Sequence, residues 1–479
     1  CREEERAEEA LRELAEKRQA KERRIANLIG RSGLPKRYLS RTFDNYRAGV
    51  VAGEHGDFET AVERLKAAVA LDPDFALAHL RLSMAGHWVG DTELARWAAD
   101  RAIRNFGGLD RWLLGSALAW RAYLSGAPLQ AERLAHGVLE DNVDGSAYTV
   151  LAEVLFHWYP MLGRSATLSR TEWEHSLAFP MESAAARIHL ARIAASERDR
   201  GALEEHAGWI LERDLPRDNA LVLEARALLA FSGNDAEARR RVIDDVATAE
   251  ATAIATLARA VAVFAQDLEG ADQLTRLALT RLAPTTDRDH AMAASIVATL
   301  AQTHAAAGRL DAAASTLHDA AELPAERAVE LLAAYALAPL LPVADARLAA
   351  LRREIDATPD DAFIGPGMSY FTAEGIYPPR RRYLLGRLSL EVGDLDAVRR
   401  IIVELESGDA RTPMDRRYQD YFARLLRAEL ARADGNPAAA LEALGEPEIP
   451  ASATLPDLLD YPRAHERWLR AELLRELGR

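Results

Sequence analysis

The sequence predicts an all-α protein, a solenoid of stacked helical hairpins. Three observations carry this. First, the spacing Gly-x-x-x-x-Ala recurs between apolar-periodic stretches, at Gly56/Ala61, Gly90/Ala95, Gly126/Ala131, Gly233/Ala238, Gly308/Ala313 and Gly435/Ala440, with a degenerate copy at Gly393/Val398. Second, the first two copies lie 34 residues apart and the third follows 36 later, the period of a helical repeat array. Third, Ala, Leu and Arg dominate a chain that is 49% hydrophobic, with few β-branched runs. Glycine supplies the left-handed turn between two helices. The alanine five residues on lets the second helix pack closely against the first.

The elements follow in order. Residues 1–29 predict one charged helix with Leu11, Leu14, Ile25 and Leu28 as sparse apolar positions, too irregular for a coiled coil. Gly30, Gly33 and Pro35 break it. The segment Arg31-Ser-Gly-Leu-Pro-Lys-Arg-Tyr-Leu-Ser-Arg-Thr-Phe-Asp-Asn-Tyr46 then resembles the linker ahead of the ATPase core in DnaC-like replicative helicase loaders, and Cys1 would match the last cysteine of that family's cluster. The resemblance covers about a tenth of the chain and implies contact with a helicase. The loader's phosphate-binding loop is missing. Such a loop needs Gly-Lys-Ser/Thr, and the lysines here, Lys17, Lys21, Lys36 and Lys66, are followed by Arg, Glu, Arg and Ala. Residues 1–41 therefore form a charged helix and linker, a loader-like remnant, and 42–479 form the array.

Repeat one (42–75) carries Gly49, Gly56, Ala61, Leu65, Ala68 and Pro73. Its stretch Gly-Asp-Phe-Glu-Thr-Ala-Val-Glu-Arg-Leu-Lys-Ala-Ala-Val-Ala-Leu-Asp-Pro resembles the second helix of a tetratricopeptide repeat. Repeat two (76–109) keeps Leu82, Gly90, Ala95 and Ala102, and repeat three (112–145) keeps Gly126 and Ala131. The resemblance implies a right-handed superhelix that binds protein or peptide partners. Later units are looser. Ala152-Glu-Val-Leu-Phe-His-Trp-Tyr-Pro-Met-Leu-Gly-Arg-Ser165 and His189-Leu-Ala-Arg-Ile-Ala-Ala195 resemble the tetratricopeptide regions attached to bacterial Ser/Thr kinases and transcriptional regulators. That implies a sensing or docking role. No kinase motif is present: no Gly-rich loop, Val-Ala-x-Lys, His-Arg-Asp or Asp-Phe-Gly. Residues 358–378 and 445–456 read as loops, and 462–479 as a capping helix with Arg463, Glu466, Arg470 and Glu472 outward.

Composition excludes several functions. Net charge is −14, which argues against a general nucleic-acid binder. The balance is uneven, with 12 Lys+Arg against 8 Asp+Glu in 1–41. One cysteine permits neither a disulfide framework nor a thiolate zinc site. The longest uncharged run, Leu331–Ala344, has 14 residues and holds two prolines, short of the roughly 20 a membrane span needs. The expected location is cytoplasmic, with lipid anchoring through Cys1 as the alternative. No cofactor is expected.

Candidate sites come from helical phase. In a tetratricopeptide unit the first helix lines the concave face. This places Leu80, Met84, His87 and Trp88 of repeat two there, with Trp120 and Tyr123 of repeat three. An apolar, aromatic lining suits a partner helix or peptide lying in the groove. The competing reading makes the tryptophans, six of eight of which fall within 88–173, core filler. The same phase puts Arg380, Tyr383 and Arg387 on one face beside Arg381 and Arg382, at a helix start marked by Pro378 and Pro379. Either they form an anion site or they are a surface patch paired with Glu391 and Asp394. The histidines (His79, His87, His136, His157, His175, His189) lie about one per helix without His-Glu-x-x-His, and read as packing residues, so no metal site is expected. No motif supports catalysis. Clustered, buried ionisable groups in one concave pocket would reopen that question.

Overall fold

A computed structural model describes residues 36–105, 111–141, 144–179, 183–233, 235–282, 287–319, 325–337, 343–358, 377–410, 413–445 and 464–479. These residues form helices joined by turns with no strand among them, and the architecture is an all-α solenoid. The expected helix over 1–29, Cys1, most of the 358–378 loop and the 446–456 part of the second loop lie outside them.

The first three hairpins are α1 (Lys36–His55) with α2 (Phe58–Leu71), α3 (Ala76–Trp88) with α4 (Thr92–Asn105), and α5 (Arg111–Leu124) with α6 (Pro128–Asp141). Repeats two and three thus fall where the spacing placed them. The expected boundary at 41/42 falls inside α1, which takes in residues 36–46 of the loader-like segment. Next come α7 (Gly145–Glu153), a π-helical turn (Val154–Trp158), two 3-10 turns (Tyr159–Leu162, Ala166–Ser169) and α8 (Arg170–Ser176). The regular array resumes with α9 (Ser183–Glu197), α10 (Arg200–Leu211), α11 (Ala220–Phe231), α12 (Ala236–Val246) and α13 (Ala251–Ala260). A second π turn (Val261–Ala265) leads to α14 (Leu268–Arg281), α15 (Asp287–Ala306), α16 (Leu310–Asp319) and α17 (Ala325–Ala336). The C-terminal part holds α18 (Asp345–Asp356), α19 (Tyr377–Glu391), α20 (Leu395–Ser407), α21 (Pro413–Ala433), α22 (Pro437–Leu444) and α23 (Ala464–Glu476).

Six of the glycine turns are built from the same hydrogen bonds. Gly56 has φ +88°; its N–H donates to Gly53 O at 3.1 Å and the next N–H, of Asp57, donates to Ala52 O at 3.0 Å. Gly90, Gly126, Gly308, Gly393 and Gly435 repeat both bonds, closing the helix in a Schellman motif. The following residue then often caps the second helix. Asp57, Asp91, Asp394 and Asn436 each accept from the backbone N–H three residues on, at 2.9–3.1 Å. The alanines five residues after the turn are sealed: Ala61, Ala95, Ala131, Ala313 and Ala440 are all at most 2% exposed. Gly233 is the exception, since it does not share the positive φ and Ala238 is only partly buried.

Apolar clusters run along the chain, each shared by neighbouring hairpins, as in the set from Ala76 to Tyr159 and that from Tyr383 to Leu473. One cluster breaks this sequential order. Phe58 at the start of α2 packs with Ala184, Ile188, Leu221 and Val222 of α9 and α11, and Trp88 joins them. Asn219 Nδ2 also donates to Gly56 O at 3.4 Å. The array therefore curls until its first hairpin meets its fifth and sixth helical layers, which narrows the space inside. The C-terminal helix α23 covers the last cluster through Leu469 and Leu473. Its face is not uniformly outward. Glu466 is buried and accepts from Tyr421 Oη at 3.0 Å, because that phenol needs an acceptor where α21 and α23 meet.

Candidate functional site

Inside this curl, side chains from seven elements converge. The end of α3 brings His87 and Trp88, α5 brings Trp120 and Tyr123, and α7 brings Glu153. The first π turn brings Phe156 and His157, α8 brings Trp173, α9 brings His189 and Arg192, and the second π turn brings Phe264. A π turn inserts a residue into the helical ladder and re-aims the side chains beyond it, and such turns are frequent at functional sites. Here each π turn contributes one half-buried ring, His157 and Phe264, and the buried Phe156 lies 5.7 Å from Phe264.

The polar core is a short chain of contacts. Tyr123 Oη donates to Glu153 Oε2 at 2.8 Å, and His157 Nε2 is 3.3 Å from the same oxygen. His157 Nε2 is also 3.3 Å from His189 Nε2. His189 Nδ1 lies 2.8 Å from Ala185 O. A carbonyl only accepts, so Nδ1 carries the proton and the neutral ring presents a lone pair at Nε2. Arg192 Nη1 donates to that nitrogen at 3.2 Å while its Nε and Nη2 grip Glu224 at 2.6 and 2.8 Å. Aromatic walls hold the imidazole in place. Trp173 stacks on His189 at 4.2 Å and 11°, and Phe156 meets it edge-on at 4.6 Å.

Burial keeps these histidines neutral. It pushes His87 down to about 4 and His157 down to about 3, with the Arg192 guanidinium adding to the effect at His157. His189 is held well below its ordinary value by burial first and by Arg192 second. The floor, Glu153 and His189, is fully buried. The rim is open: His157 keeps 36% of its side-chain surface, and His87, Trp88 and Phe264 are half-buried.

The structure redistributes the expected groove residues. His87 and Trp88 remain reachable at this rim. Leu80, Met84, Trp120 and Tyr123 do not; all are at most 5% exposed, in the core between α3, α5 and α7. They pack there because the curl presses successive first helices together, leaving no open wall at those positions. Trp120 instead spends its indole N–H on Ser83 Oγ at 2.9 Å. Trp158 and Trp173 are core as well, whereas Trp97 stays 44% exposed.

The arginine set at α19 also differs from both expectations. Arg380, Arg381, Tyr383 and Arg387 are buried, so they form neither a surface patch nor an accessible anion site. The anions are the protein's own. Glu330 of α17 takes Arg381 Nε at 2.8 Å and Arg380 Nη1 at 3.4 Å. Glu429 of α21 takes Arg387 Nε at 2.8 Å. Asp394, one of the expected partners, pairs with Arg352 instead, at the turn between α19 and α20.

Sequence reasoning missed Glu153, His189, Arg192 and Phe264. One signal was present: Glu153 and His157 stand four residues apart, one helical turn. His189 carried none, because its place is set by the packing of α9 on the π turn.

No family model matches the chain and no curated protein matches it. Among solved structures, it is similar to yeast Tom70, at 14% identity over 85% of this chain and 93% of that one, with a TM-score of 0.33. It is similar to the P58(IPK) TPR domain at 15% identity, over 85% of this chain and 99% of that one, with a TM-score of 0.19. The Naa15/Naa10 complex bound to HypK-THB gives 15% identity, over 91% of this chain and 73% of that one, with a TM-score of 0.26. At these scores the overall courses of the chains diverge.

Proposed function

We propose that this chain is a non-catalytic, protein-binding solenoid that captures a peptide or helix of a partner at the rim formed by His87, Trp88, His157 and Phe264. One observation carries the reading: four rings from three distant elements stand half-buried at the histidine cluster, while its other large aromatics, Trp120, Tyr123, Phe156 and Trp173, are sealed. Half-exposed Trp and Tyr rings are the usual anchors of protein interfaces. A preformed wall costs little ordering on binding. The occupant is an apolar or aromatic segment, since the rim offers rings and neutral imidazoles rather than a charge cluster. The resemblance of Ala152–Ser165 and His189–Ala195 to regions appended to bacterial kinases and regulators suits a role in bacterial signalling, within the cytoplasm. No described helix is long and apolar enough to cross a membrane.

The test is selection of peptides from a displayed random library against the full chain, followed by affinity measurement by fluorescence anisotropy. Enriched peptides should share an aromatic or large aliphatic residue. Trp88→Ala should weaken binding at least ~10-fold, in line with loss of a buried aromatic anchor. Val263→Asp, at an exposed position beside Phe264, should weaken it without touching the core. Peptides that bind both variants as well as the parent chain would refute the site, and a library yielding none would refute the function.

A further inference from the structure

Glu153 Oε2, His157 Nε2 and His189 Nε2 offer three donor atoms that all lie within 4.8 Å of one another. Two of the separations are 3.3 Å, from His157 Nε2 to Glu153 Oε2 and from His157 Nε2 to His189 Nε2. A tetrahedral ion with ligands about 2.1 Å away has ligand–ligand edges of roughly 3.4 Å. The spacing is therefore that of two edges of a coordination tetrahedron. A hydrogen-bonded chain accounts for it less well. His157 Nε2 can carry at most one hydrogen and has an acceptor 3.3 Å away on either side.

The surroundings match what orients metal ligands. His189 donates its other ring N–H to Ala185 O, which fixes the tautomer with its lone pair at Nε2. Tyr123 Oη donates to the Glu153 carboxylate and holds it in position. Trp173 and Phe156 prevent the His189 ring from turning. Arg192 donates to His189 Nε2 at 3.2 Å. Its other two nitrogens are already engaged by Glu224, so it can release that contact and remain paired.

We propose that Glu153, His157 and His189 bind a divalent transition cation of the zinc type. Two imidazoles and a carboxylate are a donor set suited to that class. The open side of His157 leaves a fourth position for water or for a side chain of a bound partner. The site lies just beneath the rim assigned above but does not depend on that assignment, since ion binding is measured without any peptide.

The full chain, stripped with a chelator and dialysed, is titrated with Co²⁺ while its visible absorption is followed, and then with Zn²⁺ in competition. One equivalent of Co²⁺ should bind with the d–d bands of a four-coordinate site, and Zn²⁺ should displace it. His157→Gln, at a partly exposed position, and Glu153→Gln, close in shape, should each weaken binding at least ~10-fold. His136→Gln removes a histidine that also sits beside a glutamate, Glu132 at 4.0 Å, and should change nothing. Circular dichroism confirms that each variant is folded. Absence of a stoichiometric band, or equal binding by His157→Gln and the parent, overturns the site.

Discussion

Glu330 sits between Arg380 and Arg381 with almost no contact with water, its side chain 2% exposed against 0% and 4% for theirs. Ions taken out of water this completely are held by each other, and removing one partner leaves the rest at a loss. Glu330→Gln keeps the shape and removes the charge. It should destabilise the protein by about 3 kcal/mol, read as a lower midpoint in urea unfolding. The exposed pair of Arg399 with Asp396 gives the contrast: Asp396→Asn should cost less than about 0.5 kcal/mol. The arginines at 380–382 were conspicuous in the sequence. Their anion was not, because Glu330 stands some 50 residues earlier on another helix. The same limit applies at the histidine cluster, where His87, His157 and His189 looked like one packing residue per helix. Adding Glu153, Tyr123 and Arg192 makes it one connected set of ionisable groups drawn from α5, α7, the first π turn and α9.

At the scale of the element, the repeating unit is a left-handed residue, often followed by an Asp or Asn that caps the next helix, and glycine is only its commonest form. Arg198 at φ +61° and Gln266 at φ +56° take the glycine position before α10 and α14. Asp199 and Asp267 follow them and cap those helices, accepting from Ala202 N and Gly270 N at 3.0 and 2.8 Å. Hairpins at 183–211 and 251–281 were therefore invisible to a search for Gly-x-x-x-x-Ala, although Ala271 stands five residues after Gln266. The glycines themselves are not equivalent. At Gly393 a Cβ would meet nothing, so Gly393→Ala should cost only the left-handed strain, about 1–2 kcal/mol. At Gly56 a Cβ would stand 2.5 Å from Leu221 Cδ1, so Gly56→Ala adds crowding against α11. Thermal unfolding should show Gly56→Ala to be the more damaging by roughly 1–3 kcal/mol; equal losses would contradict the contact.

For the whole molecule, the decisive feature is a junction between parts of the chain far apart in sequence. Phe58 stacks on Trp88 at 5.4 Å and reaches α9 and α11. An open array couples each repeat only to its neighbours. Here the first hairpin is also tied to the middle of the chain. Phe58→Ala should destabilise by about 3–4 kcal/mol. Hydrogen exchange should rise in 36–71 and in 183–231 together, while 377–444 stays protected. A rise confined to 36–71 would mean that the junction carries little energy.

The sequence by itself determined the all-α class, the hairpins of 42–145 and the glycine turns, because glycine conformation, capping and helical period act between residues only a few positions apart. It also marked His87 and Trp88 as facing inward. The tertiary structure alone decided how far the array curls and which inward side chains stay open to a partner. It also decided that three histidines share one pocket and that two glutamates neutralise the buried arginines. Those outcomes depend on packing between helices tens to more than a hundred residues apart, where small rotations accumulated over many hairpins fix the distance, and no local pattern encodes the sum.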